Sequence, residues 1–446
     1  MTDQKQTIES LMDEATSRNY SRRQVIGRGL ALGLSVPAIS AMLATGAFAQ
    51  GATPEASPVA SSGPPVSPAA NGPVNVPIVG KSMSFADLKA AIAAEGEVNV
   101  GNWTYQANDQ LVKRFQDYVK TVYGVDVKLN YTGSQTPQTY LTDLYAAVGA
   151  GDNSPYDVLA IEENYWASAQ AQATANGTKL MEDYLPSGLI PNADRVLDTF
   201  KHAPTSIAFQ ASATPGINFH SAKVDFLKDW KDLADVRLKG KILMWLPTDI
   251  TAGGFLMGLA DSLGKDWKDP NAMKEVIDFA VDKIGPNAIK YTSDNADVQS
   301  LFQSGVADVV MFWNSESRLM YLNGIADAAF LVAASGQYMV NGYMWIPVKP
   351  KHPVLAQIFI DWRLSDDSQF PVLDAWGISK GAWSELQEGL IGPSYEKDIP
   401  DWIKADYFNF YPTIAQLSTN YKKVDWTAYN AHSKDWFDYY AQRLNL

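Results

Sequence analysis

The sequence contains no cysteine and only four histidines among its 446 residues. Without cysteine there can be no disulfide, thiol nucleophile, thiolate metal ligand or lipid-modified N-terminal cysteine. The four histidines are scattered and form no HExxH pattern, so we expect no metal site and no cofactor. GxSxG and other compact catalytic motifs are also missing, which argues against an enzyme. A secreted hydrolase with a carboxylate pair stays open as a less favoured alternative, because carboxylates are numerous.

Basic residues are outnumbered by acidic ones. The chain has 36 Lys and Arg against 49 Asp and Glu, for a formal net charge of −13. Nucleic-acid binding normally needs a basic surface, so we expect no nucleic-acid partner. Hydrophobic residues make up 46% of the chain, enough for packed cores. A chain of this length has room for two or three domains.

The first 49 residues have the layout of an export signal. Arg22 and Arg23 precede a moderately apolar run at 29–43, and small residues lead up to a cleavage site after Ala49. The paired arginines are similar to a twin-arginine signal. The apolar run is shorter than the roughly 20 residues that span a bilayer, although a retained anchor stays an alternative. We therefore expect the protein in the periplasm or at the outer face of the cell envelope.

Residues 50–82 are rich in proline, alanine and serine. This composition has no apolar periodicity with which to bury a face, and its prolines favour an extended form. The segment is therefore predicted to be a tether, either a spacer from the envelope surface or the remnant of a leader.

The globular part is predicted to be α/β, with a first lobe over 83–209. Apolar patterns indicate strands at 98–100, 125–131 and 157–161, and helices between them that end at Gly124 and Gly149. Strands that alternate with helices indicate a parallel sheet, whose ligands lie at the carboxyl ends of the strands. The candidate ligand residues at these ends are Trp103, Tyr105, Glu162, Glu163 and Asn164.

A similar pattern predicts a second lobe over 210–340. A strand at 242–246 leads through a glycine-rich turn at 248–254 into a helix, and a second strand at 306–313 ends at Trp313. Extended segments near 206–219 and 336–346 are expected to join the lobes. Residues 341–446 would then return to the first lobe and add C-terminal helices. The architecture predicts a ligand cleft between the two lobes.

Four passages of the sequence resemble extracellular solute-binding proteins of ABC importers. They are N-W-T at 102–104, D-W-K-D-L with L-K-G-K-I over 229–242, S-G-V-A-D through F-W-N-S over 304–315, and W-I-P to D-W-R-L-S over 345–365. The likeness covers about residues 95–380 and is strongest to the polyamine-binding branch. It implies a two-lobed type II periplasmic-binding-protein fold, whose lobes close on a small solute and deliver it to an ABC permease. We expect the protein to be a monomer.

The resemblance also implies site residues. Aromatic residues at the positions of Trp103 and Trp313 flank the ligand in the family, and an aspartate at the position of Asp249 binds an amine. A second family aspartate is replaced in this chain by Asn341 or Gly342, and Tyr343 is a further aromatic candidate. This chain departs from the family pattern at 251–254, where another carboxylate is missing, and at Glu162 and Asn164, where the family has serine and tyrosine.

The sequence is compatible with two kinds of solute, a cation and an anion. Aromatic faces and carboxylates together suit a cationic amine, which is the favoured solute. The glycine-rich turn at 248–254 would instead suit an anion, an iron–anion complex or a phosphorylated solute, because helix N-termini bind anions. Asp249 could also serve only as a helix N-cap, and Glu162 and Glu163 could be a solvated pair at a helix start. The aromatic C-terminal region, 385–446, is expected to pack on the lobes as helices, and an extra ligand wall or a permease-docking surface is the less favoured alternative.

Overall fold

Strands and helices alternate through most of the chain that the structure covers. The computed structural model describes residues 65–103, 109–134, 136–210, 214–365, 368 and 407–446. These residues belong to one compact unit, 63–446.

Fifteen strands lie among the described residues. They are β1 (Val74–Val76), β2 (Lys81–Met83), β3 (Glu97–Trp103), β4 (Lys128–Ser134), β5 (Val158–Glu162), β6 (Lys201–His202), β7 (Ser206–Gln210), β8 (Pro215–His220), β9 (Ile242–Trp245), β10 (Ala288–Thr292), β11 (Val309–Trp313), β12 (Ala328–Phe330), β13 (Gln337–Met339), β14 (Gly342–Trp345) and β15 (Tyr421–Lys423).

The described residues also form eleven α-helices. They are α1 (Phe85–Glu95), α2 (Asp109–Tyr123), α3 (Gln138–Ala150), α4 (Glu163–Asn176), α5 (Ile250–Ser262), α6 (Pro270–Phe279), α7 (Asn295–Gln303), α8 (Asn314–Leu322), α9 (Pro353–Leu364), α10 (Ile414–Thr419) and α11 (Trp426–Leu444). No helix in these ranges combines the length and the apolar character needed to cross a membrane.

The first lobe is built on a six-stranded sheet in the order β4-β3-β5-β14-β7-β6. β3 runs parallel to β4 and β5, whereas β14 runs antiparallel to β5 and β7. Buried side chains such as Val98, Val100 and Phe359 form its main core. The parallel strands between helices confirm the predicted α/β class, because each crossover helix covers one face of the sheet.

The second lobe is built on a five-stranded sheet in the order β10-β9-β11-β8-β12. β9 is parallel to β10 and β11, and β8 is antiparallel to β11 and β12. A separate hydrophobic core surrounds this sheet and includes Trp230, Leu256 and Ile277. Two sheets with separate cores make the protein two-lobed.

Up to residue 365, the described chain passes between the two sheets twice, and it is found on the second lobe again at α11. β7 belongs to the first sheet and β8 to the second, and the return lies between β12 in the second sheet and β14 in the first. A third, two-stranded sheet pairs β13 with β15 near this return. The lobes are therefore joined by strand-bearing segments, as in proteins whose domains move about a hinge.

Some boundaries differ from those that the sequence predicts. α3 passes through Gly149 and ends before Gly151, which has a φ of 80°, so the predicted stop at Gly149 is wrong. Gly151 is favoured at this position because glycine adopts the left-handed conformation without strain. β4 begins at Lys128 rather than at residue 125, and β3 extends to Trp103 within a stretch predicted as a loop.

The C-terminal helix α11 packs on the second lobe. Its side chains Trp426, Tyr429, Trp436 and Tyr440 are buried in the core of that lobe. Arg443, near its end, forms ion pairs with Asp278 on α6 and with Asp282. The aromatic residues of this helix therefore pack on a lobe, as the sequence predicts for the region.

Candidate functional site

Two parallel strands of the first lobe end side by side. β3 ends at Trp103 and β5 at Glu162, and Asn102 is paired with Ala160 between them. On the other side of β5, Glu162 is paired with Gly342 at the start of β14. Carboxyl ends of parallel strands are the usual place for a ligand in an α/β sheet. The predicted residue Tyr105 lies outside the described residues.

Glu162 and Glu163 point to different surroundings, so the interpretation as a solvated pair is wrong. Glu163 is 4% exposed and its Oε1 lies 2.5 Å from His202 Nε2. The His202 ring stacks on Trp166, with centroids 4.1 Å apart. Glu163 thus pairs inside the first lobe.

Glu162 is half-buried, and its Oε2 has no hydrogen-bond partner within the described chain. Burial raises the pKa of Glu162 to about 7, although its own backbone and the Trp103 side chain lower the pKa in part. Desolvation disfavours the ionised form of a carboxyl group. A cation beside Glu162 would therefore stabilise the ionised form of this carboxyl group.

Three other predicted residues surround this edge of the first lobe. Asn341 is buried, and its backbone carbonyl accepts a hydrogen bond of 2.9 Å from the Glu163 N–H. Asn164 is half-buried in the first turn of α4. Tyr343 is only 1% exposed and its ring packs 4.8 Å from His202, which leaves it almost no surface for a solute in this conformation.

On the second lobe, Asp249 is fixed by three hydrogen bonds. It is the N-cap of α5, where its Oδ1 accepts from the Thr251 N–H at 2.8 Å. Trp245 Nε1 donates to both carboxylate oxygens, at 3.0 and 3.1 Å. The expected N-cap role is confirmed. Because Asp249 is also exposed, the same carboxylate stays open to a ligand.

Trp313 is the last residue of β11, and Trp245 is the last residue of β9. Both tryptophans therefore lie at the same edge of the second sheet. The two strands are parallel, and Trp313 is half-buried against the lobe core. Behind the strand ends, Trp245 stacks on Phe312 with centroids 5.2 Å apart. The second lobe thus presents a carboxylate and a partly open tryptophan at the carboxyl ends of its parallel strands.

The pKa of Tyr165 depends on carboxyl groups of both lobes. Its pKa is raised by burial and then by the negative charges of Glu162, on the first lobe, and Asp249, on the second. A negative charge near a phenol disfavours its ionised form. Glu162, on the first lobe, and Asp249, on the second, are therefore the two carboxyl groups whose charges act on Tyr165.

Tyr429 of α11 completes this group. Its pKa is raised by burial, by the charge of Asp249 and by Tyr165. Its ring also lies against Gly253, where an added Cβ would be 2.5 Å from the Tyr429 hydroxyl oxygen. We call Glu162, Tyr165, Asp249 and Tyr429 the cleft cluster.

Two members of the cleft cluster, Tyr165 and Tyr429, were not identified from the sequence. Tyr165 follows Glu162 closely, so its position after a predicted strand end could have suggested it. Tyr429 carries no such local signal, because it reaches the cleft only through the packing of α11. The export-signal residues Arg22, Arg23 and Ala49 lie outside the described residues.

No group of three or more Asp, Glu or His residues within the described ranges is arranged to hold a metal ion. The cleft cluster offers two carboxyl groups and two phenols, which suits recognition of a charged or hydrogen-bonding solute.

Residues 102–370 match the model of the bacterial extracellular solute-binding protein family. The chain belongs to this family. Its members are solute-binding components of ABC transporters, and the predicted resemblance is confirmed. Among curated proteins, none matches the sequence significantly.

Solved structures with the same two-lobed fold bind different solutes. One is the spermidine/putrescine ABC transporter substrate-binding protein of Streptococcus pneumoniae, with 18% identity and a TM-score of 0.57 over 78% of this chain and 99% of that one. Another is a periplasmic binding protein of Actinobacillus pleuropneumoniae with fructose-6-phosphate bound, with 19% identity and a TM-score of 0.53 over 79% and 99%. A periplasmic thiamin binding protein has 15% identity and a TM-score of 0.53 over 78% and 96%. These similarities establish the fold of this solute-binding protein.

Proposed function

We propose that this solute-binding protein captures a small cationic amine of the polyamine type between its lobes and delivers it to an ABC permease. The observation that carries the proposal is that α11 contacts both α4, which begins beside Glu162, and α5, which Asp249 caps: Asn430 donates to Ser168 of α4, and Tyr429 lies against Gly253 of α5. The charges of Glu162 and Asp249 also both raise the pKa of Tyr165. A cation between them would meet countercharge from both lobes, and it would therefore favour the closed form.

The chemistry of the surrounding side chains supports a cation. An ammonium group taken out of water needs a paired negative charge, which the two carboxyl groups supply. Aromatic faces add about 0.5–2 kcal/mol for each cation–π contact. Trp103 and Trp313 stand at strand ends of the first and second lobes, and we propose that they contact the methylene chain or an ammonium end of the ligand.

The alternative of an anion at the glycine-rich start of α5 is less favoured. The Thr251 N–H is already bonded to the Asp249 carboxylate, and the Gly253 N–H to the Asp249 carbonyl oxygen. An anion would therefore meet a negative charge and two N–H groups that already have partners. The phosphorylated sugar bound by one structural neighbour keeps this alternative worth testing.

Isothermal titration of the exported protein tests the proposal. The panel is putrescine, spermidine, glucose-6-phosphate and ferric citrate, each at low and at moderate salt. We expect binding of the amines alone, weakened by salt because charge pairs are screened. Binding of only the anions would overturn the amine proposal in favour of the helix N-terminus. Native mass spectrometry for a co-purified solute adds an unbiased check.

We also propose how the protein is exported and in what state it works. The protein would act outside the membrane after export through the twin-arginine route, with Arg22 and Arg23 as the signal and Ala49 before the cleavage site. It would work as a monomer, without a cofactor and without turning over its solute. A bound amine should therefore be recovered unchanged after incubation with the protein.

A further inference from the structure

Gln210, the last residue of β7, lies at the same edge of the first sheet as Glu162. Gly342, the first residue of β14, is paired with Glu162 on one side and with Gln210 on the other. Residues directly opposite each other in antiparallel strands place their side chains on the same face of the sheet. The side chains of Glu162 and Gln210 therefore lie on the same face, on either side of Gly342.

The glycine at position 342 leaves room for the Gln210 side chain. A Cβ added to Gly342 would be 2.5 Å from Gln210 Oε1 and 3.1 Å from two ring atoms of Phe209. Any larger residue at this position would therefore displace the Gln210 amide. The amide lies directly over Gly342, next to the strand that carries Glu162.

The amide of Gln210 is buried without a hydrogen-bond partner. The residue is 9% exposed, and its Nε2 is one of the buried side-chain atoms that have no partner within the described chain. Glu162 Oε2 is another. Burying a polar group without a partner costs free energy, so such groups are rare in proteins. Two of them on one face, at an edge where α/β sheets bind ligands, indicate a solute that pairs with both.

The two unpaired atoms need opposite kinds of partner. A carboxylate oxygen accepts hydrogen bonds, whereas an amide nitrogen only donates them. An ammonium group has only donors, so it can pair with Glu162 Oε2 but not with Gln210 Nε2. A hydroxyl oxygen on the carbon next to the ammonium-bearing carbon would accept from the amide N–H while the ammonium group pairs with the carboxylate.

We propose that Gln210 is a ligand-contacting residue that selects a hydroxylated amine, in which a hydroxyl group neighbours the ammonium group bound by Glu162. This inference rests on the proposed amine binding and narrows its solute from polyamines in general to amines that carry such a hydroxyl group. A simple diamine such as putrescine would still bind, but it would leave the Gln210 N–H unpaired.

Titration calorimetry with putrescine and with both enantiomers of 1,4-diaminobutan-2-ol tests this selectivity. One enantiomer should bind the wild-type protein about 3- to 10-fold more tightly than putrescine, the range expected for one additional hydrogen bond. In Gln210→Leu this preference should disappear, because leucine offers no hydrogen bond to the hydroxyl group. Gln210→Met should give the same result, and methionine packs adaptably if leucine does not fit.

Gln357→Leu is the matched control. Gln357 is also a buried glutamine of the first lobe, but its amide donates to the Pro353 carbonyl at 3.0 Å and accepts from Ser187 Oγ at 2.6 Å. Its replacement should lower the melting temperature and keep the preference for the hydroxylated amine. Gln210→Leu should keep or raise the melting temperature, because it removes a buried polar group that has no partner.

Equal wild-type affinities for putrescine and both enantiomers would overturn this inference and leave the proposed function intact. A preference that persists in Gln210→Leu and Gln210→Met would also overturn it. A fall in melting temperature as large as that of Gln357→Leu, or failure of both Gln210 variants to fold, would assign the amide to the fold and contradict a role in binding. If the wild-type protein binds none of these amines, the proposed function itself fails, and this inference fails with it.

Discussion

At the scale of single residues, Asp249 combines a structural and a proposed binding role. Asp249→Asn should keep the N-cap bond to Thr251 but remove the charge that faces the cleft. We expect putrescine affinity to fall about tenfold or more at low salt, because a charge-assisted contact becomes a neutral one. Titration calorimetry at two salt concentrations measures the change, and added salt should narrow the difference between variant and wild type.

Asp269 provides a matched control for this prediction. It is also an N-cap aspartate of the second lobe, and it accepts a hydrogen bond of 2.8 Å from the Asn271 N–H at the start of α6. Asp269→Asn changes the same kind of cap away from the cleft cluster, so putrescine affinity should stay the same. A loss equal to that of Asp249→Asn would assign the effect to the helix cap and contradict a role in binding.

The raised pKa of Glu162 predicts that ligand binding depends on pH. Its pKa, about 7, means that the carboxyl group is largely neutral at pH 6 and ionised at pH 8. An amine keeps its positive charge over this range. Putrescine should therefore bind more tightly as pH rises from 6 to 8, and binding at pH 7 should release protons because the cation favours the ionised form.

Titration calorimetry in two buffers with different ionisation enthalpies measures this proton release. In Glu162→Gln the release and most of the pH dependence should disappear. Glu95→Gln is the control, because burial also raises the pKa of Glu95 to about 7 but this residue belongs to a different contact, at the start of α9. Unchanged proton release in Glu162→Gln would contradict the prediction.

At the scale of elements, the end of α1 is joined to the start of α9 by Glu95. Its carboxylate accepts hydrogen bonds from the N–H groups of Val354 at 3.0 Å and Leu355 at 2.8 Å. Burial nevertheless outweighs these bonds and raises the pKa from 4.5 to about 7. The folded state therefore holds this proton more tightly than the unfolded state does.

The resulting contribution to stability is fully present below about pH 4.5 and is lost as pH rises through 7. Its upper limit is about 3 kcal/mol. In Glu95→Gln the free energy of unfolding should change less between pH 5 and pH 8.5 than in the wild type. Urea denaturation at both pH values measures this difference, and a variant with the wild-type pH dependence would exclude Glu95 as its source.

The N-terminal segment supports a separate prediction about export. Replacing both Arg22 and Arg23 with lysine should leave the precursor inside the cell, because the arginine pair is what marks the twin-arginine route. Cell fractionation with an antibody against the mature protein measures the distribution. Normal export of the double variant would contradict the twin-arginine assignment and would support only a general signal peptide.

At the scale of the whole molecule, the two passages of the chain between the sheets predict a hinge. A solute held by Glu162 and Asp249 should draw the lobes together, so the radius of gyration should decrease when putrescine saturates the protein. Small-angle X-ray scattering measures this change. Asp249→Asn at the same putrescine concentration should show a smaller decrease, and an unchanged wild-type profile at saturation would contradict closure.

The sequence alone determined the local parts of this protein. The α/β class, the strand ends at Trp103 and Trp313 and the N-cap at Asp249 follow from periodicity and short-range hydrogen bonding, which depend on neighbours in the chain. The family motifs were equally local. Boundaries shifted by a few residues, as at Gly149 and Gly151, because both glycines can end a helix and only Gly151 adopts the left-handed conformation that does so.

Only the tertiary structure decided which side chains face one another. Glu162 and Glu163 are adjacent in the sequence, yet Glu162 belongs to the cleft cluster and Glu163 pairs with His202. Tyr429 reaches Gly253 because α11 packs on the second lobe and brings together residues far apart in the chain. Burial and long-range packing set these contacts and the raised pKa of Glu162, and neither is encoded in a short stretch of sequence.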